Sequence, residues 1–419
     1  MTDADLIQLA NVELLPWRRD EETWQALERG NDTFDAKTGA LVREGKPHGH
    51  RDNVQTILER DPYWAGRVWW DELYQRARWD DDTEAGKAVE DHDEAGIGLR
   101  MHRVYGLSAT TATIHEALLW KARQDERHPV REWLDGLTWD GTPRVKTWAT
   151  DYLSASGDLE AEMAWRWMVQ AVARAYEPGC KADAVLILQG RQGCGKSTTL
   201  AALGGEWFRD TPMDLSSKDR FDALRGAWIY ELAELDSMRR AEAQTLKAFV
   251  SSQTDSYRPS YGRNVIDLPR CCVFAGTTND GQFLQDATGS RRWWIVPVGE
   301  CRVDALRAVV DELWAEAVHL YRAGEPWHLS RALEEQRAAV AEAYEVTDPV
   351  MSRLQVWSDG RLDFTTSEFW DAMELNRPAG TAEAMRLSAL LGKLGTHDTA
   401  KITRNGKQVR GWRLKARTA

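Results

Sequence analysis

Residues 182–199 read ADAVLILQGRQGCGKSTT, and their chemistry is that of phosphate binding. The apolar run 184–188 passes at once into Gly190, Gly193, Gly195, Lys196 and Ser197, a complete GxxxxGKS pattern. Glycines at these spacings let successive backbone N–H groups turn inward around a polyphosphate, and the helix that follows presents its positive end to the same anion. The expected binding set is Gly190, Gly193, Cys194, Gly195, Lys196, Ser197 and Thr198. Lys196 is placed to reach the terminal phosphates, and the Ser197 hydroxyl to hold a magnesium ion.

Further residues downstream have types that suit work on a nucleoside triphosphate. In LRGAWIYELAEL a short buried strand over 227–230 ends in Glu231, with Glu234 three residues later. A carboxylate at a strand end beside a phosphate loop can hold magnesium or position the attacking water, and two can divide those jobs. A second strand, 271–275, leads to Gly276-Thr277-Thr278-Asn279, and an amide there can sense the terminal phosphate. Arg291 and Arg292 stand at the mouth of a third strand in TGSRRWWIVPV. In a ring-forming NTPase such an arginine crosses a subunit interface and stabilises charge on the transferred phosphoryl group. Between these strands, extended pieces over 256–260 and 265–268 flank the turn-rich 261–264 and predict a hairpin. Arg258, Tyr261, Arg263 and Arg270 lie on or beside it, a mixture of cations and aromatic ring that suits a single-stranded nucleic-acid track. A plain surface hairpin is the competing reading.

The elements that must position these groups are predicted from periodicity. Residues 165–176 carry apolar positions at helical spacing, and Pro178-Gly179 stops that helix just before the loop strand. Residues 302–344 read as helical. From 347 onward a helix, a second helix and a hairpin turning at Asn405-Gly406 suggest a winged-helix-like module. Its last twenty residues hold seven Lys or Arg and no acid, so Lys401, Arg404, Lys407 and Arg410 are expected to face a phosphate backbone. Upstream, 108–126 reads as a capped amphipathic helix, and the acidic run 80–96 as a solvated loop, with Asp91, His92 and Asp93 not taken for a metal site. The division expected is a mostly helical domain over 1–125 of unassigned role, a helical module over 126–180, an α/β P-loop core over 181–346, and the winged-helix-like domain over 347–419.

Composition bounds the rest. A chain of 419 residues with 42% hydrophobic content can bury several cores. Net charge of −12 argues against a whole surface coated with nucleic acid but permits a local basic path. The five cysteines form no CxxC pair and are expected reduced, and the 21 tryptophans are expected in cores. The absence of a long apolar run and of a signal-peptide core predicts a cytoplasmic protein without a membrane partner.

Over about 128–298 the chain resembles the virulence-associated protein E family of phage and genomic-island ATPases, which are similar to superfamily 3 replicative helicases. The resemblance rests on HPVREWLDGLTWDG, EPGCKAD, GRQGCGKS, GGEWF, WIYELAEL, YRPSYGR, GTTN and TGSRRWW. It implies an AAA+ core assembled as a homo-oligomeric ring, a hexamer, with ATP and Mg2+ at subunit interfaces and single-stranded DNA through the middle. Lys196 and Ser197 would then bind ATP and magnesium, Glu231 and Glu234 supply the acidic motif, and Asn279 act as sensor. Arg291, with Arg292 second, becomes the finger for the neighbouring subunit, and the 256–268 hairpin the DNA grip. Which glutamate ligates metal is open, because two residues separate them where helicases commonly have an adjacent pair. The 125 residues upstream are short for the primase domain that many relatives carry, so no primase activity is expected, and a separate primase or host replication proteins are the expected partners. The function expected is an ATP-dependent DNA helicase or translocase for phage or mobile-element replication. Its alternative is an ATP-gated origin-binding initiator or helicase loader that does not unwind; a small-molecule kinase would leave the hairpin, Asn279 and the basic C-terminus without a role.

Overall fold

The structure, a computed structural model, describes residues 18–30, 33–35, 37–38, 40–42, 45–81, 85–217, 220–232, 240–258, 264–281, 283–284, 290–344, 350–373, 381–394, 397–404 and 406–414. The chain divides into two compact units, Met1–Asp280 with Thr288–Ala341, and Gly281–Ala287 with Glu342–Ala419.

The first unit holds two cores. Its N-terminal part begins with the short pair β1 (Thr33–Phe34) and β2 (Leu41–Val42). A four-stranded sheet follows, made of β3 (Val68–Asp71), β4 (Arg76–Trp79), β5 (Lys87–Ala88) and β6 (Glu126–Arg127) in the order β5-β4-β3-β6. Helices Arg51–Arg60, Asp91–Tyr105 and Thr111–Ala122 cover it through Val54, Ile57, Ile97, Met101, Ile114 and Leu118. The sheet departs from the mostly helical region expected here. The acidic run departs too, since β5 and the start of the helix Asp91–Tyr105 lie within it. The acids are what start that helix. Asp93 accepts the backbone N–H of Glu90 at 3.0 Å in a capping box and pairs with Lys87 at 2.8 Å, so its charge meets both a cation and the positive helix end.

The larger core is built on a parallel sheet of β7 (Val185–Gln189), β8 (Phe208–Arg209), β9 (Ile229–Leu232), β12 (Val273–Thr278) and β13 (Trp293–Pro297), in the order β13-β7-β12-β9-β8. Runs such as VLIL in β7 are buried throughout, as a sheet covered on both faces requires. The helix Asp158–Tyr176 covers it and ends where Pro178-Gly179 predicts. Buried indoles tie the layers together: Trp167 donates to the Phe274 carbonyl, Trp228 to Ala171 and Trp314 to Leu203, each at 2.9–3.0 Å. The stretch 302–344 resolves into three helices, Val303–Arg307, Val310–Arg322 and Arg331–Glu342. Strands predicted at 227–230 and 271–275 lie two residues later, at β9 and β12. Trp228 extends both neighbouring ladders, its N–H donating to Trp207 and its carbonyl accepting from Val273, and Glu231 lies inside its strand, opposite Ala275.

Between β9 and β12 the hairpin β10 (Thr254–Tyr257) and β11 (Ile266–Pro269) forms a separate antiparallel pair with Thr254 opposite Pro269. The second unit runs helix Met351–Ser358, β14 (Asp363–Phe364), helices Thr366–Met373 and Thr381–Leu394, then β15 (His397–Arg404) and β16 (Lys407–Leu414). Its three strands are ordered β14-β16-β15 over Leu354, Phe364, Phe369, Leu387, Leu391 and Trp412. Helix, helix and hairpin occur in the order expected, with one more helix and a third strand before them. Among the described residues no helix is long and apolar enough to cross a membrane.

Candidate functional site

The carboxyl edge of the parallel sheet gathers the polar groups. β7 ends at Gln189, and the chain turns through Gly190 to the helix Lys196–Gly204. Gly193 and Gly195 have φ of +81° and +98°, a region that a side chain would strain. Gly190 meets a different constraint, since a Cβ there would lie 2.6 Å from the Val298 carbonyl oxygen. That oxygen belongs to a segment running under the loop, in which Val298 N–H donates to Gln189 at 2.7 Å and Cys301 N–H to Cys194 at 2.9 Å. Glu300 of the same segment pairs with Arg191 at 2.8 Å on the surface.

Lys196 is only 7% exposed. Its ammonium donates to the carbonyls of Gly190 at 2.8 Å and Arg191 at 2.9 Å and to the Asn279 amide oxygen at 2.8 Å. All three partners are neutral, so a buried positive charge stands at the loop with polar ligands and no counter-charge among these bonds. The next side chain, Ser197, donates to Glu231 Oε1 at 2.7 Å, and Thr277 donates to the same oxygen at 2.7 Å. Glu231 is buried, and its strand neighbours fix it where two hydroxyls reach it. Two adjacent hard oxygen donors, one of them a carboxylate, fit magnesium, which takes one or two protein ligands and completes its shell with water and phosphate. Among the described residues no group of three or more His, Cys, Asp or Glu is arranged as a metal cage.

The strand order explains these contacts. β12 lies between β7 and β9, so Asn279, just past its end, stands by Lys196, and Thr277 stands by Glu231. Thr277 had no signal of its own in the sequence, and neither did the supporting residues Val298 and Cys301. Thr198 is exposed on the first turn of the loop helix, and Cys194 is buried within the loop. Glu234 lies outside the described residues.

Arg291 and Arg292 sit at the opposite edge. Trp293, the residue after them, pairs with Val185 at the start of β7. The five-residue strand β7 separates that edge from the phosphate loop, a span of about 17 Å. Arg292 is held by the Ser251 hydroxyl and by Asp183 at 3.8 Å. Arg291 is exposed and lines a cavity of about 630 Å3 with Lys181, Asp183, Trp294, Trp327 and His328.

The hairpin joins the sheet at this same edge, where β11 leads into β12. Arg270 at its base is 2% exposed and engages both carboxylate oxygens of Asp255, so it anchors the hairpin and does not face outward. Arg258 is exposed just beyond β10. Tyr261 and Arg263 lie outside the described residues. Near the base His128 caps the helix Pro129–Gly136 by accepting the Arg131 N–H, and burial drives its pKa down to about 4.

In the second unit Lys401 and Arg410 are direct cross-strand partners, and both are exposed, as is Lys407. Like charges so placed repel, and an anion relieves the repulsion. Arg404 is engaged differently. It contacts both oxygens of Glu368 at 2.6 and 3.1 Å and Asp363 at 2.9 Å, which holds the Glu368 carboxyl below its usual range and ties the hairpin to the neighbouring helix. Asn405, at the hairpin turn, lies outside the described residues.

The family profile described as the Virulence-associated protein E-like domain matches residues 134–346. Among solved structures the chain is similar to the A form apo structure of the NrS-1 C terminal region, CTR(305-718). They share 10% identity, with 87% of this chain and 100% of that one covered, and a TM-score of 0.48. It is also similar to the apo structure of NrS-1 C terminal region (305-718), at 12% identity, 83% and 96% coverage and a TM-score of 0.45. No curated protein matches the chain.

Proposed function

The chain belongs to the Virulence-associated protein E-like family, and from that premise we propose that it is an ATP-driven DNA helicase or translocase of the AAA+ class, serving replication of a phage or mobile element. The observation that carries this reading is the buried Lys196 ammonium with neutral partners, set beside the Ser197–Glu231–Thr277 cluster. A triphosphate supplies the counter-charge that these three partners do not. Its terminal phosphates take the ammonium over from the loop carbonyls, while the loop N–H groups and the helix N-terminus hold the inner ones. Ser197 and Glu231 would hold magnesium, which neutralises charge on the phosphates when bound. With Glu231 on the metal side, orientation of the attacking water falls to Glu234, and the Asn279 amide reads the terminal phosphate.

A single chain does not complete this site. Arg291 stands at the end of β7 remote from its own loop, with a strand of about 17 Å between them, so its proposed service to the reaction is across an interface, to the loop of the next subunit in a ring, which we take to be a hexamer. Arg292, engaged with Ser251 and Asp183, positions the turn. The hairpin lies on the same edge as the finger, so a change at the nucleotide moves Arg258, and with it Tyr261 and Arg263, along a DNA strand. The second unit, with helices before a basic hairpin, serves as a winged-helix-like module that holds duplex DNA through Lys401, Lys407 and Arg410.

The test is steady-state hydrolysis of Mg2+-ATP by the full chain, with and without single-stranded DNA. Stimulated turnover that falls by at least ~100-fold in Lys196→Ala is expected, a loss in the range that removal of charge-stabilising groups produces. Turnover unchanged in that variant would remove the site from the mechanism.

A further inference from the structure

We propose that Cys194 and Cys301 form a reversible modification site, a disulfide that closes across the floor of the phosphate loop when a peroxide-class oxidant is present. The two cysteines come from distant parts of the chain. Cys194 is buried inside the loop, and Cys301 is half-buried in the segment under it. Two contacts bring them together. The Cys301 N–H donates to the Cys194 carbonyl at 2.9 Å, and the Cys301 thiol lies on the same segment, 4.0 Å from the Gly299 carbonyl. The Cβ of Cys301 also lies 3.1 Å from where a Cβ on Gly195 would be. A direct backbone hydrogen bond holds the two residues side by side, and a disulfide needs Cα atoms ~4.4–6.8 Å apart.

Exposure sets the order of events. Cys301 is reached first; its sulfur attacks the peroxide, the O–O bond breaks, and a sulfenic acid and one water result. The Cys194 sulfur then attacks the Cys301 sulfur, the S–O bond breaks, and the second water leaves with the thiol proton. Two thiols and one peroxide become one disulfide and two waters. A dithiol reductant reverses the change by exchange.

The consequence follows from the loop. Its glycines give it the freedom to wrap an anion, and its Lys196 is already folded onto the Gly190 and Arg191 carbonyls. Joining the two sulfurs ties residue 194 to residue 301 and fixes the loop in this self-satisfied form. The phosphate-facing N–H groups then cannot close on a nucleotide. Formation of the bond is independent of the proposed function; the loss of nucleotide binding rests on it.

The experiment treats the reduced full chain with hydrogen peroxide and caps residual thiols with N-ethylmaleimide. The mass and the linked peptides are then read, and a fluorescent ATP analogue with Mg2+ is titrated before and after. Expected are the loss of two hydrogens, a peptide joining 194 to 301, and affinity for the analogue lowered on the order of tenfold, all reversed by dithiothreitol. In Cys301→Ser the linked peptide is absent, and oxidation leaves that variant's own affinity as it was. A peptide joining Cys180, Cys271 or Cys272 in place of the 194–301 link overturns the site. A 194–301 link with undiminished analogue binding overturns the gating. An analogue that binds neither the reduced nor the oxidised chain counts against the nucleotide reading, and the peptide map still decides the disulfide.

Discussion

Glu231 accepts the hydroxyls of Ser197 and Thr277 on one carboxylate oxygen, each at 2.7 Å. Its type and position after an apolar strand mark it as a candidate, and so do the Lys196 and Ser197 that follow the glycines of the loop. The sequence left open whether Glu231 or Glu234 serves the metal; Glu231 accepts the Ser197 hydroxyl, and Glu234 lies outside the described residues. Thr277 was not legible, because its contact with Glu231 arises from the pairing of two strands some forty residues apart and not from any local spacing. Removing its hydroxyl in Thr277→Val leaves Glu231 held by Ser197 alone among these hydroxyls. The Mg2+ concentration that gives half-maximal ATP turnover should then rise roughly tenfold, as loss of a partner behind a metal ligand does. A titration unchanged from the parent would show that Thr277 does not orient Glu231.

At the scale of elements, the loop helix, the central strands and the hairpin were legible because each carries a continuous local signal: an apolar run, a glycine pattern, a turn between extended pieces. The four-stranded N-terminal sheet was not, since its strands are two to four residues long and their arginines and tryptophans carry no clean alternation. The start of the helix at Asp91 was obscured by the same acids that cap it. The helix Pro129–Gly136 supplies a prediction of its own. His128 caps it while buried, with its pKa lowered from 6.5 to about 4 by burial first and by Arg131 second. The unfolded chain therefore binds the proton more readily than the folded one. Stability from this group is full above about pH 6.5 and is lost as pH falls toward 4, by up to about 3 kcal/mol. His128→Asn retains a capping oxygen without the titration, so its thermal midpoint should fall less than the parent's between pH 6.5 and 4. Parallel curves for the two proteins would show that His128 carries none of the acid sensitivity.

At the scale of the whole molecule, the parallel sheet separates two sets of groups that the sequence presents only as successive motifs. One edge holds the phosphate loop, Glu231 and Asn279; the other holds Arg291 and the root of the hairpin. No spacing in the chain reveals that the two lie on opposite edges, because the separation is set by strand direction. On the proposed function, each edge supplies half of a reaction centre shared between neighbouring subunits. Mixing Arg291→Ala with Lys196→Ala should restore ATPase to subunit pairs in which an intact loop faces an intact arginine, although each variant alone is inactive. Mixtures no more active than their components would place Arg291 outside the reaction.

In the proposed function, hydrolysis at this loop drives DNA strands apart. It is tested most directly by displacement of a labelled strand from a forked duplex by the full chain with Mg2+-ATP, on both fork polarities, with Lys196→Ala alongside. ATP-dependent displacement on one polarity, lost in the variant, is expected. DNA-stimulated hydrolysis with no displacement on either polarity would contradict it and favour an ATP-gated initiator or loader that leaves unwinding to another protein.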